Sequence, residues 1–140
     1  MKSLLLSICL AFTAFADDTN RTFYVRVLVG GVETNSMASY VKRELRGLND
    51  VSITDTDYRT TLSIVVVPLE ETKTKEIRGY VASWAVTVRD GDRDILRNHA
   101  AQVGNNLREL AEKIATSFDT KCLEPSRQSK EEIPAQKLKQ

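Results

Sequence analysis

Between Phe23 and Phe118 the spacing of apolar residues switches from two to about 3.6, back to two, and to 3.6 again. A period of two belongs to a strand with one buried face, and 3.6 to a helix with one buried stripe. Few folds satisfy that order. Phe23, Val25, Val27 and Val29 alternate onto one face, and Gly30-Gly31 ends the run. Met37, Val41, Leu45 and Leu48 then form a helical stripe, with Asn35 or Ser36 as N-cap and Gly47 as a left-handed C-terminal residue. Val51 to Thr54 is a short strand. Leu62 to Val67 is apolar on nearly both faces, as a central strand is. Pro68 cannot donate to a ladder, so the strand ends there or meets an edge. Glu70 to Glu76 reads as a loop. Tyr80 to Val88 is a long alternating strand, and Asp90-Gly91 is a hairpin signal leading to a fifth strand near Ile95 to Ala101. A helix starting at Asp94 is the competing reading. Leu107, Leu110, Ala111, Ile114 and Phe118 form the closing helical stripe.

The order β-α-β-β-β-(β)-α predicts an α/β (α+β) domain. Its sheet is single, mixed and mostly antiparallel, with four or five strands and two helices packed on one face. The opposite face then has no helix over it. Tyr24, Leu28, Val65, Val67, Val81 and Ala85 have the parity opposite to Phe23, Leu62 and Trp84, and fall on that uncovered face. An exposed apolar patch of this kind marks a protein contact. A one-residue slip of register would invert the two faces.

The amino-terminal residues give an address. Met1-Lys2-Ser3 is a basic start, Leu4 to Phe15 is apolar, and Ala14-Phe15-Ala16 has the small-x-small form of a cleavage site, followed by Asp17-Asp18. The segment reads as a signal peptide of residues 1–16 cut after Ala16, because the apolar run is too short to span a bilayer. Cys9 lacks the small residue that a lipobox needs before it, which excludes lipidation. The expected mature chain is a body of residues 17–118 and a polar, disordered tail of residues 119–140, with no membrane span. The 140 residues hold 20 basic and 19 acidic side chains, and loss of Lys2 balances them at 19 each. That balance argues against a nucleic-acid binder.

With this order of elements, a helix such as Ser36-Met37-Ala38-Ser39-Tyr40-Val41-Lys42-Arg43-Glu44-Leu45 after the first strand, and a closing helix, Phe23 to Phe118 resembles a group of small bacterial envelope modules. They include the amino-terminal domain of the translocation protein TolB and the lipoprotein cofactor LpoB. The resemblance implies an exported α/β module that binds partners and is not an enzyme. It carries over no residue roles, because no diagnostic motif supports it.

Catalytic chemistry has little to work with. His99 is the single histidine and Cys122 the single cysteine of the expected mature chain, with no local signature joining them. One odd cysteine raises an intermolecular disulfide. Asp55-Thr56-Asp57 and Asp90-Gly91-Asp92-Arg93-Asp94 have carboxylates at alternate positions, as calcium loops do, but Asp and Gly are also what tight turns require. Gly30-Gly31 matches no phosphate-loop motif. No cofactor and no metal site are expected. The sequence thus favours a periplasmic binding or adaptor module of the bacterial envelope, contacting an envelope or secreted protein or a second copy of itself. A small secreted inhibitor or immunity protein is the alternative. Further behind stands a small calcium- or ligand-binding or hydrolytic protein using Asp90, Asp92 and His99.

Overall fold

The computed structural model describes residues 22–129. The expected signal segment with its cleavage at Ala16, and the last part of the expected tail, lie outside the described residues. The elements are β1 (Phe23–Gly31), α1 (Thr34–Arg46), β2 (Val51–Ile53), β3 (Thr60–Glu70), β4 (Ile77–Asp90), β5 (Arg93–Gly104) and α2 (Leu107–Phe118). A π-helical turn (Asp119–Leu123) and α3 (Glu124–Gln128) follow. One five-stranded sheet has the order β2-β1-β3-β4-β5. β1 is parallel to both β2 and β3, and the two longest ladders, β3–β4 and β4–β5, are antiparallel. The fold is the mixed α+β arrangement that the period pattern predicts.

One face of this sheet carries the core. Val25 and Val27 of β1, Leu62, Ile64 and Val66 of β3, and Ala82, Trp84 and Val86 of β4 are buried against Met37, Val41 and Leu45 of α1 and Leu110, Ala111, Ile114 and Phe118 of α2. Both helices lie on that face and touch each other. Their stripes have the helical spacing that the sequence shows, so each helix finds the sheet with one side only. α2 is capped by Asn106, whose side chain accepts from the Glu109 N–H at 2.9 Å.

Two turns and one proline explain how the strands end and where their ladders stop. Gly31 has φ of 91°, and a Cβ there would run into the carbonyl oxygen of Val66 on the neighbouring strand. β4 and β5 are joined by Gly91 and Asp92 alone, and only Gly91 has positive φ, as a type II′ turn requires. β5 is thus a strand from Arg93 onward, not a helix beginning at Asp94. Pro68 sits within β3, opposite Tyr80. Its nitrogen points the same way as the Val66 carbonyl, which accepts from Val32 N–H just past the end of β1. Among the described residues no strand lies beside Pro68 on that side, so the missing donor costs no ladder bond there.

Three expectations need correction. The helix is preceded by Glu33 in the left-handed region (φ 52°), and Asn35 and Ser36 are inside it; Ser36 instead donates to the Glu33 carboxylate. Gly47 is right-handed, at φ of −69°. Gly47 and Leu48 N–H groups each bond the carbonyl three residues back, so the chain tightens and keeps its hand on leaving the helix. The body also runs past Phe118. Leu123 is buried in the core, and Arg127 binds Asp50 through two hydrogen bonds of 2.6 and 2.8 Å and Asp119 at 2.7 Å. One leucine and one arginine anchor ten residues that lack any long apolar period.

Candidate protein-contact face

Among the described residues, no helix lies over the second face of the sheet. Registers fix which side chains share it. Val67, Val81 and Val103 lie side by side across β3, β4 and β5, and the next row holds Val65, Ser83 and Ala101. Ser63, Ala85 and His99 form the row after that, with Leu28 beside Ser63 on β1. Every one of these side chains points away from the core, because the pleat alternates and Leu62, Ile64, Val66, Ala82 and Val86 point into it. Val65 is 51% exposed, Val67 52% and Val103 56%, and Leu28 is 40% exposed. Val81 and Ala85 are half-buried by their neighbours in the sheet.

The structure therefore brings together five of the six residues singled out from parity: Leu28, Val65, Val67, Val81 and Ala85. Tyr24 has the same parity and is 49% exposed, but Arg26 separates it from Leu28. The segment joining β2 to β3 crosses the sheet there, because those strands flank β1. Tyr58 of that segment stacks on Arg26, whose guanidinium carbon is 4.7 Å from the ring centre and whose Nη1 donates to the Tyr58 hydroxyl at 2.5 Å. Arg89 lies 4.9 Å from the same ring. This clamp caps one end of the face and leaves the valine rows open. The charged turn of residues 71–76 closes on itself, with Glu71 and Glu76 both paired to Arg78.

Sequence reasoning missed Val103. The sequence pattern ends β5 at Ala101, three residues short of Gly104, so the most exposed member of the first row falls outside it. Val103 alternates with the half-buried Gln102 and the buried Gly104, which is the signal that marks it as strand. Leu96 was also missed. It shares the open face through its pairing with Thr87 and is 56% exposed.

His99 and Cys122 do not converge. His99 pairs with Ala85 on the open face and is exposed, whereas Cys122 packs against the core side and accepts a contact from Asn98, the partner of Val86. The sheet separates the only histidine from the thiol among the described residues. Burial pushes the Cys122 thiol up, which keeps it protonated and a poor nucleophile at neutral pH. Asp55 and Asp57 flank a turn in which Thr54 Oγ1 donates to the Thr56 carbonyl. Asp90, Asp92 and Asp94 belong to the hairpin, where Arg89 lies 3.8 Å from Asp94. Among the described residues no group of three His, Cys, Asp or Glu side chains gathers to hold a metal ion. No described helix is long and apolar enough to cross a membrane.

No protein-family model matches the chain, and no curated protein matches its sequence. Among solved structures, the chain is similar to the hypothetical protein CT253 from Chlamydia trachomatis, at 9% identity and a TM-score of 0.46, over 77% of this chain and 90% of that one. It is also similar to the rare lipoprotein B from Shewanella oneidensis, at 13% identity and a TM-score of 0.34, over 75% and 98%.

Proposed function

We propose that this chain is an exported, non-enzymatic adaptor of the bacterial cell envelope that binds a protein partner through its helix-free sheet face. The observation that carries this reading is the apolar row Val67–Val81–Val103 with Val65 beside it, exposed on a face no element of the described chain covers. Buried strand faces normally carry such valines, and solvated faces of antiparallel sheets are normally polar. Export through the basic, apolar and Ala14-Phe15-Ala16 segments, with cleavage after Ala16, would deliver the domain to the periplasm. The partner is an envelope protein or a second copy of this chain. An inhibitor or immunity protein would use the same face against a secreted enzyme, and the identity of the bound protein separates these cases.

Charge on the face provides the test. Val65→Glu and Val81→Lys should each keep the fold and abolish retention of the partner that the unaltered protein pulls from envelope extract. Retention unchanged in both variants would remove this face as the contact.

A further inference from the structure

A second, chemically different surface lies at the end of the sheet where β1 and β3 begin. It is a cavity of about 770 Å³, which is within the range that small-molecule sites occupy. Its rim carries Arg59, Arg89, Arg97 and Lys121 against a single carboxylate, Asp90. The chain as a whole is near neutral, with 20 basic and 19 acidic residues, so this concentration of cations is local. Arg59, Arg97 and Lys121 have no ion-pair partner among the described residues.

Two irregularities of the backbone aim residues here. The β4–β5 register slips between Val86 and Thr87: Val86 pairs with Asn98 and Thr87 with Leu96, so Arg97 is the unpaired residue of a bulge. Bulges re-aim one side chain out of the strand alternation, and they recur beside functional sites. On the other wall, the π-helical turn Asp119–Leu123 brings Lys121 and Cys122 to the cavity. Single π turns within helices are likewise frequent at such sites. Arg89 is held in place by Tyr58, which stacks on it and lies within 3.3 Å of its Nη2 through the hydroxyl. Planar guanidinium groups match the oxygens of phosphate in forked pairs. Asp90 in the same cavity offers an acceptor that a hydroxyl could use and a bare anion could not.

We infer that this cavity binds a phosphate ester that carries a free hydroxyl, with the arginines and Lys121 on the phosphate and Asp90 on the hydroxyl. Two sources share that chemistry: a soluble polyol phosphate and the headgroup of a phosphatidylglycerol membrane. The site goes beyond the protein-contact face. Of the six residues singled out for that face, only Tyr24 also lines the cavity, so the two readings fail separately.

Cys122 lines the cavity and reports on it. Alkylation of the full-length protein, read at Cys122 by peptide mass spectrometry, is followed with glycerol 3-phosphate, glycerol, phosphatidylglycerol vesicles and phosphatidylcholine vesicles. At about ten times Kd a ligand fills roughly 90% of sites and should slow Cys122 about tenfold. Protection by glycerol 3-phosphate but not glycerol supports the site with a soluble ligand. Protection by phosphatidylglycerol but not phosphatidylcholine supports it with a lipid headgroup. The Arg59→Gln/Arg97→Gln variant should lose the protection while keeping its helical circular dichroism; if it does not fold, the exposed Lys121→Gln takes its place. No protection by either phosphate ester, equal protection by glycerol or phosphatidylcholine, or protection unchanged in the folded variant would each overturn the inference.

Discussion

The two faces of the sheet are built from the same strands and the same residue types, yet only one is closed. On the core side, Leu62, Ile64, Val66, Ala82, Trp84 and Val86 meet two helices and lose nearly all contact with water. On the other side, Val65, Val67 and Val103 keep half or more of theirs. The difference shows that apolar content of a strand does not by itself define a core. The covering element does, and the described residues supply cover for one face only. The closed face accounts for stability, and the open one is where association would remove apolar surface from water.

Substitutions separate the two sides, beginning with the largest effect. Trp84→Ala should cost about 3–5 kcal/mol, because the largest fully buried side chain leaves a cavity in the core. Chemical denaturation reads that loss directly. Leu123→Ala should cost about 2–5 kcal/mol, although Leu123 lies beyond the last helix that the period pattern predicts. A cost no larger than that of an exposed site would detach the segment after Phe118 from the core.

Arg127→Ala should cost about 1–2 kcal/mol near neutral pH, through loss of its charge-assisted bonds to Asp50. The hydrogen bond from Arg127, helped by its charge, holds the Asp50 carboxyl below its ordinary value of 3.8. A lowered folded value means the unfolded chain takes up the proton first as acid is added. The contribution is therefore complete above pH 3.8 and lost as pH falls through the lower folded value. The stability gap between the unaltered protein and Arg127→Ala should narrow in acid below that point, and a gap that stays constant would remove the ion pair from the account.

Val65→Glu should change stability by no more than about 0.5 kcal/mol, because its side chain is already in water. A loss comparable to Trp84→Ala would mean that the open face is covered after all.

Much of this contrast is legible in the residues. Parity places Trp84 and Val65 on opposite faces because the strand period is two and both strands are long. The helical stripes name the core contacts of both helices for the same reason. What the sequence does not show depends on single anchors or on crossings. Leu123 and Arg127 hold a segment with no apolar period, and the Arg127 partners Asp50 and Asp119 are visible only in space. Tyr58 reaches Arg26 and Arg89 because a short connection must pass β1, which depends on strand order and not on local pattern. Val103 falls outside a predicted boundary that is three residues short of the strand's end at Gly104. The bulge at Arg97, which feeds the basic cavity, leaves no period at all, because it breaks one.

The measurement closest to the central claim is site-specific photo-crosslinking in the intact envelope, with the crosslinker at Val67 on the open face and at Glu112 on the exposed side of α2. A discrete adduct from Val67 that is lost in the Val81→Lys background, with none from Glu112, is the predicted result. The same adducts from both positions, or none from Val67, would contradict the assignment of the open face as the contact.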